Sequence, residues 1–190
     1  MLSRLTDFKD RSTCVLFGDG AGACVVRAGT GRYASCLGSQ GTGYGLIFCK
    51  SHPHPSPFTK NPEQTDDIVS TDIEPGHLWQ NGREVYKFAT KIMPEAVHKA
   101  CAKAGVSEQE LAYIIPHQAN ARIVQSAMKN LGLPMEKAFL TIDHTGNTSS
   151  ASIPIALDEL WESGRLKRGD LICVVGFGAG LTYGASVFEW

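Results

Sequence analysis

No two of the six cysteines stand in a C-x-x-C spacing, which argues against a structural zinc site. Cys14, Cys24, Cys36, Cys49, Cys101 and Cys173 sit mostly in apolar, strand-like or helical surroundings. They read as reduced, buried small residues of a cytoplasmic protein. No apolar run approaches the ~18 residues needed to cross a bilayer. The N-terminal stretch MLSRLTDFKDRSTC lacks the apolar centre of a signal peptide. Excess charge of either sign is also missing: the formal net charge is -1, so no overall field draws the chain to nucleic acid or to a membrane. An anionic partner would have to be held by a local patch. There is no G-x-S-x-G elbow and no internal repeat.

What is present is an ordinary globular composition, with 43% hydrophobic and 19% charged residues in 190. That length suits one core. Residues 13–29, TCVLFGDGAGACVVRAG, read as strand, Gly-rich turn and strand, and residues 33–49 as further short strands. The proline-rich, aperiodic stretch from 50 to about 80 reads as a loop or insertion. A helix is expected from Asn81, with Val85, Phe88, Ile92 and Met93 on one face, broken or kinked at Pro94 and capped by Gly105. Ser107 and Glu110 form a capping box. Strand 112–116, helix 119–131, strand 137–142, helix 149–164 and strands 170–176 and 183–190 follow. Helices alternating with strands predict an α/β layered sheet.

Three loops then fall at the C-terminal ends of strands, where α/β sheets face their ligands. They carry the imidazole of His117, the carboxamide of Asn147, and the close-approach backbone of Gly176 to Gly180. Taken singly, His117 reads as readily as a hydrogen-bonded strand-end residue, and Asn147 as a turn residue. GDGAG (18–22), without a following helix and Lys, reads as a structural turn rather than a phosphate nest. Cys49, His52 and His54 in CKSHPHP read as part of a surface loop rather than a metal site. His144 reads as bonding within its own loop. A hydrolase set of His117, Asp143 and Ser149 or Ser150 is the weakest reading, because it would leave Asn147 idle.

Four stretches together change the weight of these signals. LFGDGAGA, PHQANARI, HTGNTSSASIPIALDE and GFGAGLTYGAS resemble, in order and spacing, β-ketoacyl-acyl carrier protein synthase III of the thiolase-like superfamily. The resemblance runs from about residue 3 to Trp190. It implies condensation of acetyl-CoA, or a similar acyl-CoA, with malonyl-acyl carrier protein to start fatty-acid synthesis, with no cofactor beyond those thioesters. The family's catalytic His and Asn fall on His117 and Asn147. Its loop beside the nucleophile falls on Phe177, Gly178 and Ala179, with a backbone N–H at Ala179 helping to form an oxyanion hole. Arg122, Lys129 and Lys87 match basic positions that dock the acyl carrier protein. The second basic residue of that pattern is here Asn130. Asn120 and Gly82 match positions near the pantetheine arm. A carboxamide at 147 separates the chain from elongating synthases, which resemble it but use a second His. The absence of Cys from GFGAG separates it from thiolases.

The family's third catalytic residue is a Cys at a helix N-terminus, a setting that favours the thiolate. None of the six cysteines here has that setting. The expectation is therefore a single domain, residues 1–190, equivalent to the C-terminal half of a thiolase-like fold. It would be α-β-α layered around a mixed five-stranded sheet, with the Cys-bearing N-terminal half absent. Such a half would pair with a complementary chain, dimerise when complete, and alone expose a large apolar face. The alternatives are a non-catalytic carrier-protein or CoA-binding subunit, or a related polyketide-priming synthase.

Overall fold

A computed structural model describes residues 1–50 and 75–190. The central sheet forms where β-branched runs recur at period two. Its strands are β1 (Tyr33–Ser39), β4 (Tyr113–Pro116), β5 (Leu171–Gly178) and β6 (Thr182–Glu189), in the spatial order β1-β6-β5-β4. β4 and β5 are parallel, with Ile114 opposite Cys173; the other pairs are antiparallel, with Val175 opposite Ala185 and Ala185 opposite Cys36. β2 (Ile47–Cys49) and β3 (Leu78–Gln80) make a separate two-stranded ribbon. The sheet is mixed as expected but has four strands, not five. Residues 78–80, expected within a loop, pair with 47–49. Residues 51–74 of the expected loop, with His52 and His54, lie outside the described residues.

Alternation along β5 divides the core. Cys173 and Val175 face one layer, made by α1 (Gly82–Ala104) and α2 (Ala121–Leu131); Ile172 and Val174 face α4 (Ser152–Glu162). The first part of β5 is covered on both sides, so LICVV reads as a continuous apolar run rather than an alternating one. α1 approaches closely because Ala89, Ala96 and Ala100 are fully buried at its contact face. It starts on Asn81, whose side chain accepts from the Glu84 N–H, and ends on Gly105 at φ 68°. Pro94 lies inside it, yet the helix continues. The Thr90 carbonyl, left without its Pro94 partner, takes a long bond (3.4 Å) from the Asn130 carboxamide of α2. α2 buries Ile123, Val124, Ala127 and Met128, as its periodicity predicts. On the other face α4 buries Ala156, Leu157 and Leu160 against Ile115 and Ile172, and Pro154 sits in its first turn, where the missing N–H costs nothing.

Three expected strands do not form: residues 13–16 are turn, with Phe17 making only an isolated bridge to Asn147, and the other two are residues 23–29 and 137–142. Residues 137–142 touch the sheet only through a bridge between Ala138 and Ile114. A side chain does the remaining pairing. The buried Gln118 amide donates to the Pro116 and Phe139 carbonyls, and its oxygen accepts from the Thr141 N–H. Residues 18–29 carry no regular structure, and Val25 and Val26 are 102% and 90% exposed. No strand lies beside them among the described residues. GDGAG is not a turn either. Its alternate glycines lie flush against residues 145–155. A Cβ at Gly18 would stand 2.1 Å from the Thr145 carbonyl oxygen, and one at Gly22 2.6 Å from Pro154 Cγ. The α4 face of the sheet is also left partly open. Leu37 is 81% exposed there, and Val174, Gly176, Gly184 and Ser186 floor a trough of about 680 Å³.

Gly18→Ala is expected to destabilise the chain by about 1–3 kcal/mol, because the clash is with backbone and cannot be relieved by a rotamer. Gly29→Ala, with nothing within 4 Å of the new methyl, is expected to stay within about 0.5 kcal/mol of wild type. Urea midpoints of the two variants check the difference.

Candidate active site

His117 is the first residue past β4. Its N–H donates to the Val175 carbonyl at 2.7 Å, so the β4–β5 pairing carries one residue beyond the strand and fixes where the ring emerges. Gly176 lies beside it, and a Cβ there would touch His117 Cβ at 3.6 Å. The Phe177 ring meets the imidazole edge to face, with centroids 5.6 Å apart. Nδ1 of His117 lies 2.8 Å from Ser152 Oγ. Burial disfavours the charged imidazolium and pushes the His117 pKa down to about 4, with a hydrogen bond to the Ser149 backbone opposing the shift. The ring is therefore neutral near pH 7, carrying one donor and one acceptor nitrogen.

Asn147 comes from the loop between α3 (Ile142–Thr145) and α4. Its Oδ1 accepts from the Ser149 N–H at 2.9 Å. A backbone N–H can only meet an oxygen, so the amide orientation is determined, and the Nδ2 hydrogens are left to serve a ligand. The loop is held by the first segment of the chain: the Asn147 N–H donates to the Leu16 carbonyl (2.9 Å), and its carbonyl accepts from the Gly18 N–H (3.0 Å). Ser149 sits at φ 56°, a left-handed conformation uncommon for a residue with a Cβ. The strain lies where the chain turns from Asn147 into α4.

His117, Asn147, Asn120, Gly82, Phe177 and Ala179 all line one cavity of about 250 Å³. Seven of the predicted site residues are thus brought together, since Gly178 joins them. No oxygen among the described residues takes the Ala179 N–H. The Asn120 side chain is partly engaged, its Oδ1 accepting from the Arg122 N–H as the N-cap of α2. Beside Gly82 a methyl would meet nothing within 4 Å. Arg122, Lys129 and Lys87 are exposed on the outer faces of α2 and α1, and Lys87 pairs with Glu84 at 2.6 Å.

Other sequence expectations are not met. Asp143 does not approach His117 but bonds His144, which also reaches Glu159 on α4, outside its own loop. These two carboxylates, Glu159 foremost, raise the His144 pKa. The serine hydroxyl that meets His117 is that of Ser152, whereas Ser149 meets it through its backbone. None of the six cysteines is among the cavity-lining residues. Burial pushes the Cys101 thiol up to about 11 and that of Cys173 above any useful range. Cys24 and Cys49 are exposed, not buried as expected. Sequence reasoning missed Ser152 and Gln118. One serine within SSAS carries no distinguishing signal. A glutamine two residues past the strand IIP is a polar residue at a buried position and could have been marked.

Two family models match the chain: "3-Oxoacyl-[acyl-carrier-protein (ACP)] synthase III C terminal" over residues 101–190, and "3-Oxoacyl-[acyl-carrier-protein (ACP)] synthase III" over residues 1–43. Along its whole length the chain is 46% identical to the β-ketoacyl-[acyl-carrier-protein] synthase III of Clostridium acetobutylicum, covering 56% of it. It is 43% identical to that of Clostridium tetani, covering 57%. The fold is similar to the crystal structures of 3-oxoacyl-[acyl-carrier-protein] synthase III from Aquifex aeolicus (TM-score 0.83, 39% identity, 55% of that chain) and of the synthase III from Thermus thermophilus (0.79, 39%, 56%). The chain thus spans a little over half the length of the relatives it matches. Matched in full by such proteins, in sequence and in a thiolase-like fold, the chain belongs to the 3-oxoacyl-[acyl-carrier-protein] synthase III family.

Proposed function

We propose that this chain supplies the enolate-stabilising half of a β-ketoacyl-[acyl-carrier-protein] synthase III, which condenses an acyl-CoA primer with malonyl-acyl carrier protein to initiate fatty-acid biosynthesis. The observation that carries the reading is the convergence of His117 and Asn147 on one cavity, with the Asn147 Nδ2 hydrogens left for a ligand. Loss of CO₂ from the malonyl thioester sends the C–C electron pair to the thioester oxygen. A neutral imidazole N–H and a carboxamide N–H both stabilise that oxyanion without a change of protonation state. The enolate carbon then attacks the acyl group held on a cysteine, and the cysteine thiolate leaves. No cysteine of residues 1–190 suits that role, so the nucleophile belongs to a complementary N-terminal half. The free Ala179 N–H, in the loop Phe177–Gly178–Ala179, serves as an oxyanion donor during acyl transfer to that cysteine. Lys87, Arg122 and Lys129 face the acidic carrier protein, and its pantetheine arm enters past Asn120 and Gly82. The complete enzyme works as a homodimer on thioester substrates alone, without metal or cofactor.

The cysteine environments also support a second reading, a carrier-protein or CoA-binding subunit without condensation. The two are separated by supplying a Cys-bearing half in trans and assaying condensation.

In the reconstituted enzyme, His117→Ala and Asn147→Ala are each expected to lower malonyl decarboxylation by about 10²–10³ while acetylation of the cysteine proceeds. Mass spectrometry of the acyl-enzyme and CO₂ release separate the steps, and equal loss of acetylation would overturn the assignment. Arg122→Glu is expected to weaken carrier-protein binding, with the difference from wild type shrinking as salt is added.

A histidine with a folded pKa near 4 and an ordinary unfolded value near 6.5 binds fewer protons folded than unfolded between those limits. Its contribution to stability is complete above about pH 6.5 and is lost as pH falls to 4, by up to about 3 kcal/mol. Urea unfolding between pH 4 and 7 is expected to show wild type losing more stability on acidification than His117→Gln, the difference reporting His117.

A further inference from the structure

Ser152 is a fully buried side chain at the start of α4, and its hydroxyl has two neighbours. The Gln118 backbone N–H donates to Oγ at 3.2 Å, and His117 Nδ1 lies 2.8 Å away. A hydroxyl has one proton to give. The backbone N–H can only donate, so it takes an acceptor site on Oγ. Among the described residues His117 Nδ1 is the one acceptor within reach of the hydroxyl proton. The reverse arrangement, with Nδ1–H donating to Oγ, would give the oxygen two donors and strand its own proton in a fully buried site. The geometry around Ser152 thus favours a proton on the other ring nitrogen.

We propose that Ser152 is a positioning residue for His117: its O–H donates to Nδ1 and so keeps the ring proton on Nε2, the edge turned away from Ser152. This rests on the donor role given to His117 above, because an enolate needs an N–H and not a lone pair from the imidazole. Gln118 completes the device. Its backbone fixes the hydroxyl, and its side chain ties the end of β4 to residues 139–141. A buried relay then runs from the backbone through Ser152 to the ring.

The test is ¹⁵N spectroscopy of the imidazole nitrogens in the labelled 190-residue chain near pH 7, without substrate. His117 is assigned by the signal lost in His117→Gln. Wild type is expected to carry an unprotonated, hydrogen-bonded Nδ1 and a protonated Nε2. Ser152→Ala is expected to give a mixture of tautomers or the Nδ1–H form, and Ser152→Thr, which retains the hydroxyl, to restore the wild-type pattern. Nδ1–H in wild type, or an unchanged tautomer in Ser152→Ala, would overturn the proposal. Should Ser152→Ala lose its fold by circular dichroism, Ser152→Cys makes the same comparison with a weaker donor.

In the reconstituted enzyme, Ser152→Ala is expected to lower kcat for decarboxylation by an order of magnitude or more with KM little changed, and Ser152→Thr to recover it. The spectra need no activity, so the two ideas fail separately. A tautomer that follows Ser152 alongside full activity in His117→Ala would refute the donor role and leave the relay standing. An unresponsive tautomer with an inactive His117→Ala would do the opposite.

Discussion

The parallel pairing of β4 with β5 is the constraint on which the site depends. It continues one residue past the strand, through the His117 N–H and the Val175 carbonyl. That last rung sets the height at which the imidazole leaves the sheet, and Gly176 on the neighbouring strand leaves room beside it. Phe177, next along β5, packs edge-on against the ring and itself meets Phe88 of α1. A shift of register by one residue would turn His117 into the opposite layer and remove every one of these contacts. The core residues Ile114, Cys173, Val187 and Ile172, all buried, hold that register. In this sense the apolar packing of the sheet and the placement of a single polar ring are one problem.

The second donor is held differently. Asn147 lies on no strand, and its loop gains its shape from the far end of the chain. Leu16 and Gly18 grip its backbone on either side, and the glycines that follow let the 18–22 segment lie along α4 without collision. His117 is thus fixed by the sheet, whereas Asn147 is fixed by a clasp between two loops. The strained Ser149 and the buried Ser152 link them: one orients the carboxamide, the other meets the imidazole. The two donors converge because one short stretch of backbone, residues 147–152, serves both.

Much of this arrangement was legible beforehand, and the reasons are local. The periodicity of α1 and α2, the caps at Asn81 and Gly105, and the apolar run of β5 follow from rules acting within a few residues. The position of His117 at a strand end follows from alternation of helix and strand; Asn147 is expected after a strand as well, but its loop follows α3 instead. What could not be read depends on long-range partners. Residues 13–29 have strand composition, but a strand requires a neighbour; Phe17 finds one residue, Asn147, and no strand stands beside 19–29 among the described residues. Residues 137–142 have strand composition too, but Gln118 takes the hydrogen bonds a neighbour would have made. Pro94 is expected to kink or break α1, and the helix runs on through it. Its cost is local, but it is eased by Asn130, 36 positions on and noted in the sequence only for the charge it lacks. The role of Ser152 was invisible for the same reason, since its partners are 34 and 35 positions away.

The fully exposed pair Val25–Val26 has a consequence for how the chain behaves with time. Backbone groups from residue 19 to 31 make no hydrogen bond to the rest of the described chain, and their β-branched side chains already favour the extended form. Such a segment is half of a ladder awaiting any other half. Its loss from solution is then second order in protein: a tenfold dilution lengthens the half-life tenfold, whereas unfolding from within would keep one half-life at every dilution. For this chain, concentration is as much a condition of keeping the native state as temperature or pH.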